Sequence, residues 1–191
     1  MTKTAYLTII ILLITSCQTK KAAESDTKEI KLAAVTMSVP KSWSSVTKQG
    51  VDSKYGTIYL DNSDSAVFDY GWHSDKLYEW DPVIMDSNQI ANVDTANRQE
   101  IIFVENSRTV DRDKYKKNNV FWDTIDGKEA KIVLPRKSGT GITGVYFHRL
   151  HSDLYDMRNP LTFSLNGENL KPENEQKLLK AIKTLKFSKA D

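Results

Sequence analysis

The chain contains few of the residue types that most clearly mark a function. Its 191 residues include one cysteine, three histidines and five prolines. One cysteine cannot form an intramolecular disulfide, so the fold must be held together by its hydrophobic core. The 27 lysines and arginines nearly balance the 25 aspartates and glutamates, and neither sign is collected in a block. Such a balance provides no basic patch for nucleic acid, and we expect no nucleic-acid partner.

Familiar catalytic motifs are also missing from the sequence. It has no Gly-x-Ser-x-Gly elbow, no His-Glu-x-x-His helix and no glycine-rich loop of the kind that holds phosphate. The only cysteine is Cys17, close to the start of the chain. These absences argue against the commonest classes of hydrolase and nucleotide-binding protein. The sequence therefore predicts no cofactor and no catalytic residue, and enzymatic activity is less expected than binding.

The one long apolar run lies near the start, from Ala5 to Ile14. It is too short to cross a bilayer, which takes about 20 helical residues. A lysine at position 3 precedes the run, and Thr15-Ser16-Cys17 follows it. A charged start, a short apolar run and small residues are the layout of a secretory signal peptide. Residues 1–16 are therefore predicted to be a signal peptide.

Ile14-Thr15-Ser16-Cys17 resembles the lipobox of bacterial lipoproteins. The resemblance implies cleavage before Cys17 and a membrane anchor of fatty acyl chains, such as palmitate, on this cysteine. Each buried methylene of such an anchor contributes about 0.8 kcal/mol. Because no aspartate follows the cysteine, the same resemblance favours the outer membrane, with the protein facing the periplasm. Residues 17–28 are polar and small, which predicts a flexible tether before a single domain at 29–191.

Short period-two stretches dominate that domain. They predict a strand from Val35 to Pro40, a hairpin with arms 57–60 and 66–72, and another hairpin around the turn Asp126-Gly127. Further strands are expected at 142–150 and 161–165, with a turn at Asn166-Gly167. Near the end, Leu178, Ile182 and Leu185 share a helical stripe. The predicted fold class is α+β, a mainly antiparallel sheet with the C-terminal helix packed on one face.

Two segments carry a resemblance to a known fold. Val39-Pro40-Lys41-Ser42-Trp43 and the stretch from Ala181 to Phe187 look like the frame of the PsbP-like fold of photosystem lumen proteins and many bacterial lipoproteins. Residues 124–133 and 144–147 are similar to lipoproteins of Bacteroidota. The resemblance implies an α/β/α sandwich and assigns no catalytic residue.

The segment from Tyr70 to Trp80 holds the best candidates for binding. Its aromatic side chains lie next to acidic and hydroxyl groups. Aromatic side chains in such a setting can stack on a sugar ring or anchor a protein partner. Tyr70 and Trp72 share one face of a strand and are predicted to pack in the core. Tyr78, Trp80 and His73 are the candidate binding residues. Asp69 lies on the same strand face as His73, where a carboxylate could orient the imidazole.

A metal site is not predicted. The best cluster is made of His148, His151, Asp153 and Asp156. On a strand, the odd spacing of its two histidines sends their imidazoles to opposite faces. Two further acidic pairs, Asp61 with Asp64 and Asp111 with Asp113, do not follow a calcium-loop pattern. In polar turns such residues usually accept hydrogen bonds from the local backbone.

Three hypotheses about function follow from these observations. The favoured one is a non-enzymatic, lipid-anchored envelope domain that binds a protein partner or a cell-wall glycan through one sheet face or the aromatic segment. The second is an envelope hydrolase or glycan-active enzyme that uses carboxylates or His73. The third is a self-protection lipoprotein that blocks a toxin or a lysozyme-like enzyme.

Overall fold

The computed structural model describes residues 26–77, 82–94, 96, 101–150 and 160–188. Four residues weighed above, Cys17, Tyr78, Trp80 and His151, lie outside the described residues, as do Asp153 and Asp156. The described part contains one helix, α1 (Pro172–Ile182), and the following strands: β1 (Thr27–Leu32), β2 (Val35–Pro40), β3 (Ser44–Gln49), β4 (Ser53–Tyr59), β5 (Ser65–Gly71), β6 (Val83–Asp86), β7 (Ile101–Val104), β8 (Asn118–Ile125), β9 (Lys128–Pro135), β10 (Ile142–Phe147), β11 (Thr162–Glu168) and β12 (Lys186–Phe187).

Seven strands form the main sheet, in the order β3-β4-β5-β11-β10-β9-β8. Every neighbouring pair in it is antiparallel. A second sheet has the order β1-β2-β12, and β6 and β7 form a separate parallel pair. The central contact of the main sheet joins β5 to β11, two strands far apart in the sequence.

One face of the main sheet, the inner face, is buried. Alternate residues of a strand point to opposite faces, so the apolar half of each strand can turn inward together. These side chains pack with the buried residues of β2 in one core, whose largest members are Trp43, Phe68, Phe147 and Phe163. Each fully buried side chain of this size contributes about 1.5–3 kcal/mol through the hydrophobic effect.

Helix α1 closes the core at the end of the chain. Pro172 occupies its first turn, where the missing N–H costs nothing, and Glu173 and Glu175 suit the positive end of the helix dipole. Its apolar stripe, which includes Leu178 and Ile182, is buried against β2 and β10. Among the described residues, no helix has the length and apolar character needed to span a membrane.

The fold class predicted from the sequence is wrong. The described residues form a mainly β structure with one short helix, and no PsbP-like α/β/α sandwich is present. A sandwich of that kind needs helices on both faces of the sheet, whereas here a three-stranded sheet and α1 cover the inner face. Residues 86–94 contain a short 3-10 segment at Ser87–Asn92. The frequent Asn and Asp residues of this stretch compete with helical hydrogen bonds.

Turn chemistry was predicted correctly at one position and wrongly at another. Asp126 and Gly127 both have positive φ, 50° and 73°, as a type I′ turn between β8 and β9 requires. Asn166 and Gly167 do not form a turn, because they continue β11 and pair with β10. The chain leaves that strand at Asn169, whose φ is 50°. Strands β1, β3 and β6 were not predicted, and β1 begins within the segment assigned to the tether.

Candidate functional site

The candidate site lies on the opposite, outer face of the main sheet, where two rows of side chains run across β3, β4, β5 and β11. The register places the first row opposite one another as Lys48, Tyr55, Asp69 and Ser164. The second row consists of Val46, Thr57, Val67 and Asn166. Neighbouring strands lie about 4.8 Å apart, so each row spans roughly 15 Å.

These two rows line an open depression that we call the outer groove, with a volume of about 440 Å³. Pockets that hold small ligands usually measure about 300–1,000 Å³. Four exposed apolar or aromatic side chains line it: Val46, Tyr55, Tyr59 and Val67. Exposed apolar side chains scattered singly are ordinary, but a contiguous group beside a depression indicates a binding surface.

The bottom of the outer groove is polar and has unmet hydrogen-bonding capacity. Ser164 is only 2% exposed and Asn166 only 7%, yet both line the groove. Neither side chain hydrogen-bonds to another described residue, and their polar atoms reach the open groove. The Oδ1 atom of Asp69 is buried and likewise has no partner among the described residues. Most buried polar groups in proteins are paired, so the unpaired Asp69 Oδ1 calls for an explanation, and Ser164 and Asn166 add polar atoms beside it that a ligand could reach.

Asp69 is also placed in an unfavourable electrostatic environment. Burial removes water from its carboxylate and raises the pKa above its ordinary value. A hydrogen bond from the Tyr70 backbone N–H lowers that pKa in part, and the negative charges of Asp52 and Asp75 raise it again. Among the described residues, no lysine or arginine forms an ion pair with Asp69. The outer groove therefore holds a carboxylate that has no ion-pair partner among the described residues.

The loop after β5 forms one wall of the outer groove and contributes Asp75. The hydroxyl of Thr162 holds this loop, because it donates to the carbonyl oxygen of Gly71 (2.7 Å) and accepts from the Ser74 backbone N–H (3.3 Å). The Ser74 hydroxyl lies 2.6 Å from the same oxygen. With the Thr162 proton already donated, the Ser74 hydroxyl must be the donor in this contact.

The end of the loop is held by apolar packing on the other half of the outer face. Leu77 is buried with Val133, Ile142 and Tyr146 in a second cluster. Gly144 leaves the space for it, since an added Cβ would lie 2.9 Å from Leu77 Cδ1. The ammonium group of Lys131 donates to the carbonyl oxygen of Leu77 at 2.9 Å. The loop therefore covers β9 and β10 and leaves the surface over β3, β4 and β5 open.

The candidate residues of the aromatic segment are not brought together in the described structure. His73 is exposed in the turn that follows β5, because the strand ends at Gly71. Tyr70 packs against the main core as predicted, and burial raises its pKa. Trp72 is 50% exposed, so its predicted core position is wrong. The alternation that placed Trp72 inward stops one residue before it.

The acidic pairs make hydrogen bonds and ion pairs within the protein, and those of Asp61 and Asp64 reach to the start of α1. Asp64 Oδ2 accepts from the Asn174 amide and from the Lys171 backbone N–H, both at 2.8 Å. Asp61 accepts from the Lys177 ammonium group, which lowers the pKa of Asp61. In the other pair, the Asp111 side chain accepts a hydrogen bond from the Asp113 backbone N–H. Across the described segments, no group of three potential metal ligands occurs.

Most residues of the outer groove were not predicted from the sequence. Tyr55, Thr57 and Tyr59 alternate along β4 and point to one face, a pattern that is visible in the sequence. Ser164 and Asn166 alternate in the same way along β11, between Phe163 and Leu165. What the pattern cannot show is that β4 and β11 both flank β5, which is a property of the strand order.

Comparisons with known proteins give no family. No protein-family model matches the chain, and neither a curated protein nor a solved structure is significantly similar to it. The outer groove is therefore interpreted from its own geometry and chemistry.

Replacing Thr162 with valine should loosen the wall of the outer groove. The substitution keeps the shape of the side chain but removes the hydroxyl that binds Ser74 and Gly71. Leaving buried polar groups unpaired costs about 1–3 kcal/mol, and we expect the free energy of unfolding in urea to fall by that amount. Thr47→Val, at an exposed position on β3, is the control and should change it by less than about 0.5 kcal/mol. Equal effects of the two substitutions would contradict the role of the Thr162 hydroxyl.

Asp69→Asn should stabilise the protein at neutral pH. A folded-state pKa above the unfolded value means that ionisation of Asp69 disfavours the folded state. Stability is therefore lost as pH rises from the ordinary value of 3.8 through the raised pKa, and the variant avoids this loss. The measurement is chemical unfolding of both proteins at pH 3 and pH 7. We expect the stability advantage of Asp69→Asn to be larger at pH 7, and the reverse order would refute the assignment.

Proposed function

We propose that this chain is a lipid-anchored cell-envelope protein that binds an envelope component in the outer groove without changing it chemically. The anchor is proposed from the apolar run and the lipobox-like Ile14-Thr15-Ser16-Cys17. The binding role is proposed from one observation above all, which is the row of unpartnered polar groups beneath exposed tyrosines. Such a surface offers hydrogen bonds and ring contacts to a ligand that the protein does not supply to itself.

The composition of the outer groove favours binding of a compact ligand over burial against a large partner. Protein interfaces have apolar centres depleted in charge. Here the centre is polar, with Asp69 and Ser164 side by side, and the apolar side chains stand around it. This arrangement fits a ligand with hydrogen-bonding groups on one side and an apolar or ring face on the other. A segment of cell-wall glycan or peptide has this character.

Carboxylate catalysis is a second candidate, favoured by the raised pKa of Asp69 beside Asp75. A carboxyl group that stays protonated closer to neutral pH can serve as a general acid, and a neighbouring carboxylate can serve as its counterpart. The outer groove is open to solvent and its walls do not enclose a substrate. Binding is therefore the function that its shape supports better. Release of reducing sugars from purified cell wall by the wild-type protein, absent with Asp69→Asn, would favour catalysis.

The anchor is tested by replacing Cys17 with serine. Serine lacks the thiol that would receive the lipid, so the variant should not incorporate radioactive palmitate and should leave the membrane fraction. The wild-type chain should be labelled and should sediment with membranes. Ser16→Ala, which keeps a small residue beside the cleavage position, is the control and should behave like the wild type. Labelling of Cys17→Ser equal to wild type would remove the proposed anchor.

The binding site is tested by photo-crosslinking in the cells that produce the protein. A photoreactive amino acid placed at Tyr59, which is 52% exposed on the rim of the outer groove, should capture an envelope component. The same amino acid at exposed Thr124, on the far edge strand β8, is the matched control. We expect a discrete adduct from position 59 alone. Identical adducts from both positions, or none from position 59, would contradict binding in the outer groove.

A further inference from the structure

We infer that the outer groove takes a ligand bearing a primary ammonium group, which binds against Asp69 and Ser164. This inference rests on the proposed function, because it specifies the chemistry of what the same groove binds. It goes further in naming the group that a ligand must carry and the side chains that hold it.

The charges of the outer groove provide the first argument. Three carboxylates line it, from Asp69, Asp75 and Glu168, and they face a single lysine, Lys48. Two strand spacings and the side chain of Tyr55 separate Lys48 from Asp69 in the row. Asp69 lies at the centre, Asp75 lies in the loop held at Thr162, and Glu168 lies four residues beyond Ser164 along β11. A cation at the centre would be attracted by all three carboxylates, and an anion would be repelled.

The unmet hydrogen bonds provide the second and independent argument. An ammonium group has three N–H donors and no acceptor. The buried Oδ1 atom of Asp69 has no donor among the described residues. Ser164, which lies opposite Asp69 and is 2% exposed as a residue, has no hydrogen bond to them through its hydroxyl. Both oxygens can accept from one ammonium group, and Asn166 offers a third acceptor in its amide oxygen.

The aromatic residues provide the third argument. Tyr55 lies directly opposite Asp69 in the register, and Tyr59 lies four residues further along β4, on the same face. The faces of aromatic rings attract cations, with about 0.5–1 kcal/mol at exposed sites and about 2 kcal/mol or more where water is excluded. A carboxylate at the centre with tyrosine rings at the side is a suitable environment for an ammonium group on an apolar or sugar carbon.

Two kinds of envelope molecule carry such a group: amino sugars and the side chains of diamino acids. Two matched pairs of probes separate them. The first pair is a trisaccharide of glucosamine and the same trisaccharide of N-acetylglucosamine. The second is the tripeptide Gly-Lys-Gly and its N-acetyllysine counterpart. Within each pair, acetylation removes the positive charge and two donors while the rest of the molecule is unchanged.

The experiment is isothermal titration calorimetry with the purified full chain in detergent. We expect at least one amine probe to bind about tenfold or more tightly than its acetylated form, since one charge-assisted contact is worth at least about 1.4 kcal/mol. Asp69→Asn should abolish most of this difference. Lys48→Met should strengthen binding of the amine probe, because it removes a repelling charge. Asp123→Asn, at an exposed aspartate on β8, is the control and should leave binding unchanged.

The outcomes separate the inference from the function on which it rests. Equal binding of amine and acetylated probes would overturn the ammonium assignment and leave the outer groove as a binding site for neutral ligands. Binding of neither amine probe would also overturn it, while the crosslinking at Tyr59 would test the function separately. An equal loss of binding in Asp69→Asn and Asp123→Asn would show that the negative charge acts at long range and not at the groove. Chemical unfolding of Asp69→Asn, measured on the same sample, distinguishes loss of the binding group from loss of the fold.

Discussion

The structure depends on the packing of the inner face of the seven-stranded sheet against the three-stranded sheet and the helix. This contact buries Trp43, Phe68, Phe147 and Phe163 in one core and fixes the register of every strand that contributes to it. Because side chains alternate, a slip by one residue would turn the apolar set outward. The inner face therefore determines which residues appear on the outer face, including those of the outer groove.

The loop after β5 covers one half of the outer face and leaves the other half open. Over β9 and β10, the loop after β5 supplies Leu77, which is buried together with Val133, Ile142 and Tyr146. Over β4 and β5, the same loop contributes Asp75 and leaves the surface open. The Thr162 hydroxyl, which holds the loop at Ser74 and Gly71, lies at the boundary. A partly buried carboxylate without an ion pair, such as Asp69, costs stability, and such costs in proteins are concentrated at functional sites.

Local features could be predicted from the sequence, and features that depend on strand order could not. The strand Val35–Pro40, the turn at Asp126-Gly127 and the C-terminal helix each follow from a few neighbouring residues. The turn expected at Asn166-Gly167 failed because pairing with β10 outweighed the local preference of the dipeptide. Predicting the outer groove required the pairing of β5 with β11. The contact between the hydroxyls of Ser74, just after β5, and Thr162, on β11, joins residues 88 positions apart. No local pattern in the sequence indicates that pairing.

The account of function depends on Asp69 being a partly buried carboxylate that has no ion-pair partner among the described residues. Its titration can be followed directly by carbon NMR of the side-chain carboxyl group, with Asp69→Asn used to assign the signal. We predict that the pKa of Asp69 lies above the ordinary 3.8, because burial and the charges of Asp52 and Asp75 disfavour ionisation. A pKa at or below 3.8 would mean that the carboxylate already has a partner, and the proposed role of the outer groove would be contradicted.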